Sequence, residues 1–396
     1  MKIAYLSFYI GEEFWRRYCQ GKQFALSGPF KTRGIARSLM AAGYEVTIFS
    51  PGLTVANQVI KPFSEVEEYP EGKLVIKYGQ CVSYRRCSPI NEWFISRKIR
   101  KESKNYDVFL YYNITLCAAL SIGAFKHAKR IIEYEDNIFN KALVGDKNSL
   151  VGYKTKLFEY LIKRTDGVMS VCLGLQLKDK LKYSVLTPGI VNEEVINNVT
   201  YRINKLQDGK PVHIILTGGI HYSKGGDLLV KSMTYIKTPC IVSVYGNCIL
   251  DSTLKDLIKQ VPNRHEFRFN GFMEHADLIR TLDRDADILI NTTRSMGVGA
   301  QAAGFPFKMM EYASTGRPIV SSEIGKLDED YNRHITYYDG ENPKSIAAAI
   351  EDVIAHYDER VQLALELQKK VLNEYTIEGT GKKLSAFFKE IERHES

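Results

Sequence analysis

The chain has 396 residues, of which 44% are hydrophobic and 25% are charged, a composition typical of a soluble globular protein. Its length favours two domains of ordinary size, and no apolar run approaches the roughly 20 residues of a membrane-spanning helix. The seven cysteines are scattered and include no Cys-x-x-Cys pair, so they indicate a reduced cytoplasmic protein without a zinc or redox centre.

Charge is unevenly distributed along the chain. Residues 1–190 contain 29 Lys and Arg against 17 Asp and Glu, a net charge of +12, whereas residues 191–396 contain 25 against 29, a net charge of −4. A surplus of this size indicates an anionic partner. We therefore expect the molecule or the surface that meets the first half of the chain to be negatively charged.

The first 50 residues predict a strand, a helix and a second strand. Residues 1–8 and 45–49 have strand patterns, and the segment 28–34 leads as a loop into a helix with apolar Ile35 and Leu39. The loop has no Gly-x-Gly-x-x-Gly sequence, which argues against a dinucleotide-binding site. The sequence therefore predicts the opening of an α/β sheet with a different ligand.

A basic amphipathic helix is predicted from Asn91 onwards. Apolar Trp93, Phe94, Ile95 and Ile99 alternate with arginines and lysines between residues 97 and 104. Such a helix is compatible with an anionic membrane surface. The alternative, which we favour, is a helix that packs on the outside of the sheet and has a basic polar face.

Three buried strands are predicted at residues 107–112, 130–135 and 167–171, with apolar helices between them. This order predicts a parallel, doubly wound sheet, in which ligands bind beyond the carboxyl ends of the strands. Glu135 and Asp136 stand at such an end, where a carboxylate is placed to accept a proton from a hydroxyl group. The alternative is that one of the two caps the next helix and the other is solvated.

A second domain is predicted after a polar linker at residues 191–209. Its first strand, 212–216, is followed by the glycine-rich loop 217–227, which contains Lys224. Backbone N–H groups and one ammonium make such a loop a phosphate cradle. For this loop alone, a tight turn with an exposed lysine is the alternative.

The segment 297–322 has the pattern of a small-residue loop, a helix and a strand. Pro306 suits a first helical position and Gly316 a helix stop, which predicts a helix of about three turns with an anion at its N-terminal end. Lys308 and Glu311 lie on one face of it, so a cation and a carboxylate are placed for the two ends of a nucleoside diphosphate. The alternative is an exposed ion pair between these two side chains.

The rest of the second half predicts further strands and a helical end. Strands are expected at residues 241–246, 266–269, 288–291 and 335–338, and helices at 343–357, 359–374 and 380–393. Asp283-Arg284-Asp285 resembles a metal signature, but it lies at a helix-to-strand turn. No metal site is expected, because no other His, Asp or Glu cluster has ligand spacing.

Several of these segments resemble the family 4 glycosyltransferases with the GT-B fold. The run from Glu311 to Val320 is similar to their donor-binding segment. Gly43-Tyr44-Glu45-Val46 is similar to the start of a strand in their first domain. Lys224-Gly225 is similar to the element that binds the donor diphosphate. Two usual charges are replaced, an arginine by Gly219 and a glutamate by Ala303.

The resemblance implies two Rossmann-like domains facing a cleft. Residues 1–190 form the acceptor-side domain, 191–376 the donor-binding domain, and 377–396 a helix that packs back on the first domain. It also implies the site residues. Catalytic roles fall to Glu135, Asp136 and Lys224, acceptor-side roles to Gly28 and Arg33, and donor binding to Gly218, Gly219, Lys224, Gly246, Phe272, Gly304, Phe305, Lys308 and Glu311.

The function implied is a metal-independent transfer of a sugar from a UDP- or GDP-sugar to an acceptor hydroxyl, with retention of configuration. An inverting, base-assisted reaction also fits Glu135-Asp136. The expected setting is cell-surface polysaccharide or glycolipid assembly in the cytoplasm, at the inner face of the membrane, on an anionic or lipid-linked glycan and without nucleic acid. The alternatives are a nucleotide-sugar epimerase of the same fold and a non-catalytic scaffold or sugar-binding protein.

Overall fold

The chain forms two compact units in a computed structural model. Unit 1 comprises Met1–Ile190 and Thr376–Ser396, and unit 2 comprises Val191–Tyr375. The structure describes residues 1–19, 27–52, 59–82, 88–135, 148–248, 250–294, 304–327 and 329–393.

Unit 1 contains an eight-stranded sheet in the order β10-β9-β8-β7-β1-β2-β5-β4 and a small antiparallel pair, β3-β6. The strands are β1 (Lys2–Leu6), β2 (Glu45–Ser50), β3 (Val59–Ile60), β4 (Ser64–Tyr69), β5 (Gly72–Tyr78), β6 (Cys81–Val82), β7 (Val108–Tyr112), β8 (Lys129–Tyr134), β9 (Gly167–Ser170) and β10 (Tyr183–Leu186). Strands β1, β7, β8 and β9 are almost wholly buried, as expected for parallel strands covered on both faces.

Helices flank this sheet. They are α1 (Glu12–Tyr18), α2 (Ser27–Ala41), α3 (Ser88–Glu102), α4 (Leu116–Ile122) and α5 (Asn148–Ile162). The prediction of a loop at residues 28–34 was wrong, because α2 already begins at Ser27. Gly28-Pro29 is typical of loops, but the first four N–H groups of a helix have no intrahelical partner, so a proline in the first turn costs no hydrogen bond.

Strand β4 was not predicted, and it is antiparallel to β5. Its two buried carboxylates explain why an acidic segment forms a strand. Glu65 accepts a hydrogen bond from the Glu13 N–H at 2.7 Å, and Glu67 accepts one from the Glu12 N–H at 3.0 Å. The side chains of β4 therefore satisfy N–H groups at the start of α1 that the helix itself leaves without acceptors.

Unit 2 contains a six-stranded, wholly parallel sheet in the order β13-β12-β11-β14-β15-β16. Its strands are β11 (Val212–Thr217), β12 (Cys240–Tyr245), β13 (Glu266–Gly271), β14 (Ile288–Asn291), β15 (Ile319–Ser322) and β16 (Thr336–Tyr338). The order reverses beside β11, between β12 and β14. Loops at the carboxyl ends of these strands are where such a sheet binds ligands.

The helices that cover this sheet are α6 (Glu193–Ile196), α7 (Gly226–Ser232), α8 (Ser252–Lys259), α9 (His275–Asp285), α10 (Lys308–Ser314), α11 (Glu329–Asn332), α12 (Pro343–Ala355) and α13 (Tyr357–Glu374). The predicted strands and the last two of these helices appear within a few residues of their expected limits. Helix α10 is shorter than predicted, with seven residues, because residues 306 and 307 form a turn ahead of it.

The final helix, α14 (Ile377–Glu392), belongs to unit 1 and packs along α2. Its Gly381 lies so close to α2 that a Cβ there would stand 2.4 Å from the Ser38 carbonyl oxygen. The Phe387 and Phe388 side chains are buried in the core of the unit. The prediction that the last helix returns to the first domain is therefore confirmed. Among the described residues, no helix combines the length and apolar character needed to cross a membrane.

Candidate active site

Three glycines line the carboxyl ends of neighbouring strands in unit 2. Gly218, Gly246 and Gly271 follow or end β11, β12 and β13, and all three have positive φ angles. The Gly218 N–H donates to the Tyr245 carbonyl at 2.8 Å, and the Gly246 N–H donates to the Gly271 carbonyl at 2.7 Å. A Cβ on Gly246 would lie 2.6 Å from the Gly218 carbonyl oxygen. This edge of the sheet is therefore an open backbone surface that side chains would block.

The backbone of Lys224 is fixed to β14 while its side chain is exposed. Thr292, just past β14, donates from its hydroxyl to the Lys224 carbonyl at 2.8 Å. The next residue, Gly225, has a φ of +70°, and a Cβ there would lie 2.0 Å from the Thr292 carbonyl oxygen. The loop thus presents one ammonium on a rigid support, as a phosphate cradle requires.

A buried ion pair supports the same loop, and sequence reasoning missed it. The Arg294 guanidinium lies 3.0 Å from both carboxylate oxygens of Asp227, in the first turn of α7, and also donates to the Tyr222 carbonyl at 3.2 Å. Its plane covers the Tyr222 ring at 3.8 Å. Arginine suits such a pair because its planar fork donates several hydrogen bonds at once.

Helix α10 is attached to the ends of β11 and β14 through a buried tyrosine. The Tyr312 hydroxyl accepts a hydrogen bond from the Thr217 N–H at 2.8 Å and donates to the Ile290 carbonyl at 3.4 Å. Lys308, one turn earlier, donates to the Thr217 carbonyl at 3.2 Å. The lysine ammonium is thereby brought to the strand end from which the Lys224 loop departs.

The Lys308 ammonium loses its proton more easily than that of an ordinary lysine. Burial and the nearby Lys224 ammonium lower the pKa of Lys308 to about 7, whereas Glu311 opposes the shift. Two positive groups that lie close together without an anion destabilise each other. The arrangement therefore favours an anionic ligand at the Lys224 and Lys308 side chains.

Glu311 has a partner that the sequence did not reveal. Its Oε1 lies 2.8 Å from His275 Nε2, and His275 Nδ1 lies 2.8 Å from Glu194 Oε2. The hydrogen bond to Glu311, assisted by Glu194, outweighs burial and raises the pKa of His275 to about 9. The imidazole is therefore protonated at neutral pH and orients the Glu311 carboxylate, whose side chain is 13% exposed.

The alternative interpretation, an exposed ion pair between Lys308 and Glu311, is not what these contacts form. Lys308 donates to Thr217 and Glu311 binds His275, although the two residues share a helical face. His275 is the first residue of α9. Pairing across two helices, α9 and α10, cannot be read from local spacing.

The remaining predicted donor residues lie around the same strand ends. Gly219 follows Gly218, and a Cβ there would stand 2.6 Å from the His221 ring. Phe272 follows β13 directly and is 74% exposed.

Two further predicted donor residues lie ahead of α10. Gly304 has a φ of +84° and its carbonyl meets the Gly325 backbone. The Phe305 ring packs edge-on against Tyr331. Ala303 lies outside the described residues.

Glu135 belongs to a buried polar cluster in unit 1. Its carboxylate forms an ion pair with Lys31 of α2 and accepts a hydrogen bond from the Tyr112 hydroxyl at 2.6 Å. Lys31 also lies 3.5 Å from Glu133, which accepts a short hydrogen bond from Tyr5. Burial raises the pKa of Glu133, Lys31 opposes this, and the Glu135 charge adds to it. Asp136 lies outside the described residues.

The predicted acceptor-side residues both lie on α2. At Gly28 a Cβ would meet no heavy atom within 4 Å. The Arg33 guanidinium lies 4.9 Å from the centre of the Phe30 ring. Arg33 and Phe30 line a cavity of about 190 Å³ together with Tyr9, Trp15 and Glu67, among others.

Asp283 and Asp285, the residues of the metal-like signature, have structural contacts. Asp283 accepts hydrogen bonds from the N–H and the hydroxyl of Thr200, and Asp285 pairs with the neighbouring Arg284. Within the part of the chain that the structure describes, no three His, Cys, Asp or Glu side chains converge as metal ligands.

Comparison with known families and structures agrees with this geometry. Residues 211–356 match the family Glycosyl transferases group 1, and this segment contains every predicted donor residue. A search of curated proteins gives no significant sequence match.

Solved structures similar to this chain include three sugar-related proteins. Sucrose-phosphate synthase from Thermosynechococcus elongatus has 14% identity and a TM-score of 0.66, with 99% of each chain covered. The Anabaena protein HepE in complex with UDP has 12% identity and a TM-score of 0.65, with 98% of this chain and 100% of that one covered. The lipopolysaccharide outer core galactosyltransferase WaaB has 12% identity and a TM-score of 0.59, with 98% and 99% covered. The fold is thus GT-B, and residues 211–356 of unit 2 match the glycosyltransferases of group 1.

Proposed function

We propose that the protein transfers a sugar from a UDP-sugar to an acceptor hydroxyl. The observation that carries the proposal is the meeting of Lys224, Lys308 and Glu311 at the carboxyl ends of the unit 2 strands. HepE, a structure of the same fold, was solved with UDP, which supports UDP over GDP as the nucleotide.

The two lysines and the glutamate contact different parts of the nucleotide. The Lys224 and Lys308 ammonium groups bind the diphosphate and stabilise the negative charge that grows on it as the sugar leaves. The Glu311 carboxylate, oriented by His275, accepts hydrogen bonds from the ribose hydroxyls. The open backbone at Gly218 and Gly246 and the exposed Phe272 ring receive the rest of the nucleotide.

Nucleotide binding is expected to take up a proton at Lys308. Since its pKa is about 7 in the free protein, much of it is neutral above that pH, and a bound diphosphate favours the charged form. UDP affinity should therefore fall as pH rises from about 7 to about 9. Calorimetry in buffers of different ionisation enthalpy measures the uptake. Lys308→Arg, which stays charged, should remove it, and equal uptake in both proteins would contradict this role.

We also propose that Glu135 acts on the acceptor side of the reaction. Glu135→Gln keeps an acceptor for the Tyr112 hydroxyl but removes the charge that faces Lys31. We expect turnover to fall at least tenfold with little change in donor KM, as for a group that acts mainly in the transition state. The matched variant Asp136→Asn tests its neighbour. Turnover near wild type in both variants would show that neither carboxylate is a base.

If neither carboxylate is a base, the leaving diphosphate itself takes the proton from the acceptor. That route corresponds to retention of configuration, which the resemblance implies, whereas a base at Glu135 corresponds to inversion. Proton NMR of the first product formed from a UDP-sugar of known configuration distinguishes retention from inversion.

The acceptor is proposed to be a lipid-linked or otherwise anionic glycan, used in cell-surface polysaccharide or glycolipid assembly in the cytoplasm. Its support is the net charge of +12 in residues 1–190. The cavity beside Arg33 and Phe30 adds aromatic rings and a guanidinium, which suit a sugar ring.

One assay separates this function from the epimerase and the scaffold. The protein is incubated with UDP-glucose or UDP-N-acetylglucosamine and no acceptor, and the products are followed by NMR. We expect slow release of UDP and free sugar, since water replaces the acceptor. Formation of an epimeric UDP-sugar would support the epimerase, and an unchanged nucleotide sugar that still binds would support the scaffold.

A further inference from the structure

Helix α3 has two different faces. Asn91, Ile95, Ser96 and Ile99 are buried, so the packing that we favoured from the sequence is present. The opposite face is exposed along the whole helix and contains Ile90, Trp93, Arg97, Arg100, Lys101 and, just beyond the end of α3, Lys104. The spacing of three and four residues places these side chains in one stripe. The same helix therefore both packs on the sheet and presents a basic surface.

The stripe combines cations with large apolar side chains. Ile90 is 47% and Trp93 44% exposed, and the Arg97 guanidinium lies 5.0 Å from the centre of the Trp93 indole ring. An exposed tryptophan next to arginines and lysines is typical of a segment at a membrane interface, where the ring is amphipathic and the cations meet lipid phosphates.

The acidic residues of α3 do not neutralise this stripe. Glu92 accepts a hydrogen bond from the Cys117 N–H at 2.9 Å, and Glu102 pairs with Lys77. Within the described residues, Arg97, Arg100, Lys101 and Lys104 form no ion pair. Their charge is thus available to an external anion, in the half of the chain with the net charge of +12.

We propose that the outer face of α3, from Ile90 to Lys104, docks unit 1 on an anionic lipid bilayer. The occupant is a bilayer rather than a soluble polyanion, because a bilayer offers an apolar interface for the exposed Ile90 and Trp93 next to the lipid phosphates that meet the cations. The proposal deepens the proposed function, on which its biological role rests, by naming the surface that brings the enzyme to a lipid-linked acceptor.

The test uses the full chain and vesicles of phosphatidylcholine with or without phosphatidylglycerol. Wild type should bind only the anionic vesicles, and less at high salt. One variant reverses two charges of the stripe, Arg97→Glu with Lys101→Glu. Its matched control, Lys255→Glu with Lys259→Glu, reverses two exposed lysines at the same spacing on α8. Each basic side chain near such a leaflet contributes about fivefold to binding, so the α3 variant should bind at least tenfold more weakly and the control like wild type.

Tryptophan emission gives a second readout. The chain has two tryptophans, so Trp15→Phe leaves Trp93 as the single probe, and anionic vesicles should shift its emission to shorter wavelengths. An unshifted emission, an equal loss in the control, or heparin binding without vesicle binding would each overturn the proposal. UDP affinity should stay unchanged in the α3 variant, so a failure here is distinguishable from a failure of the donor site.

Discussion

Replacing Lys224 by alanine is expected to lower turnover by about a hundred- to a thousandfold. The expectation follows from the exposed ammonium on a loop that Thr292 and Gly225 hold rigidly. Removing one preorganised charge that stabilises a developing anion typically has an effect of this size. The substrate diphosphate is bound before it leaves, so donor KM should rise less than turnover falls.

Steady-state kinetics of UDP release, with Lys255→Ala as the control, measures this effect. Lys255 is an exposed lysine on α8 of the same unit and should leave both kinetic parameters unchanged. A fall of less than tenfold in Lys224→Ala, with the protein folded, would contradict the assignment of Lys224 to the leaving group.

Replacing Lys31 by methionine is expected to destabilise the protein by about 3 to 5 kcal/mol, as for a buried charge that loses its partner. Lys31 is 4% exposed and faces both Glu133 and Glu135. Without the ammonium, two carboxylates remain side by side in a buried place. Urea unfolding measures the loss.

The loss should depend on pH. The pKa of Glu133 is already raised in the folded protein, so its contribution to stability is present below about pH 4.5 and decreases as pH rises through the folded pKa. Removal of Lys31 raises that pKa further, and the deficit should be larger at about pH 8 than at about pH 5. Lys73→Met, which removes the exposed partner of Glu68, should hardly change stability, and a similar loss in both variants would contradict the buried cluster.

Sequence patterns predicted those parts of the fold that local chemistry determines. Runs such as residues 214–216 and 288–290 are apolar throughout because both faces of a parallel sheet are covered. Gly225 and Gly316 mark places where the backbone adopts a positive φ that other residues rarely tolerate. Each of these signals depends only on residues that are close in the chain, so it can be recognised without knowing which distant residues the segment contacts.

The elements that were missed depend on distant partners. Strand β4 is acidic, and its buried glutamates accept hydrogen bonds from N–H groups of α1 and from the hydroxyls of Tyr9, Tyr69 and Tyr78. His275 and Glu311 are 36 residues apart, and Arg294 and Asp227 are 67 apart. Such pairs form because parallel strands bring their carboxyl ends together, and their spacing in the chain is set by the lengths of the helices between them.

The direct test of the donor site is calorimetric titration of UDP into wild type, Glu311→Ala and Glu323→Ala. Glu323 is the matched control, since it forms an exposed pair with Lys326 three residues away, as Glu311 would with Lys308 on an ordinary helix. Charge-assisted hydrogen bonds to ribose hydroxyls are worth roughly 1.5 to 3 kcal/mol each. We predict that Glu311→Ala binds UDP at least tenfold more weakly while Glu323→Ala binds it like wild type. Unchanged affinity in a folded Glu311→Ala protein would contradict the assignment of this edge of unit 2 to the nucleotide.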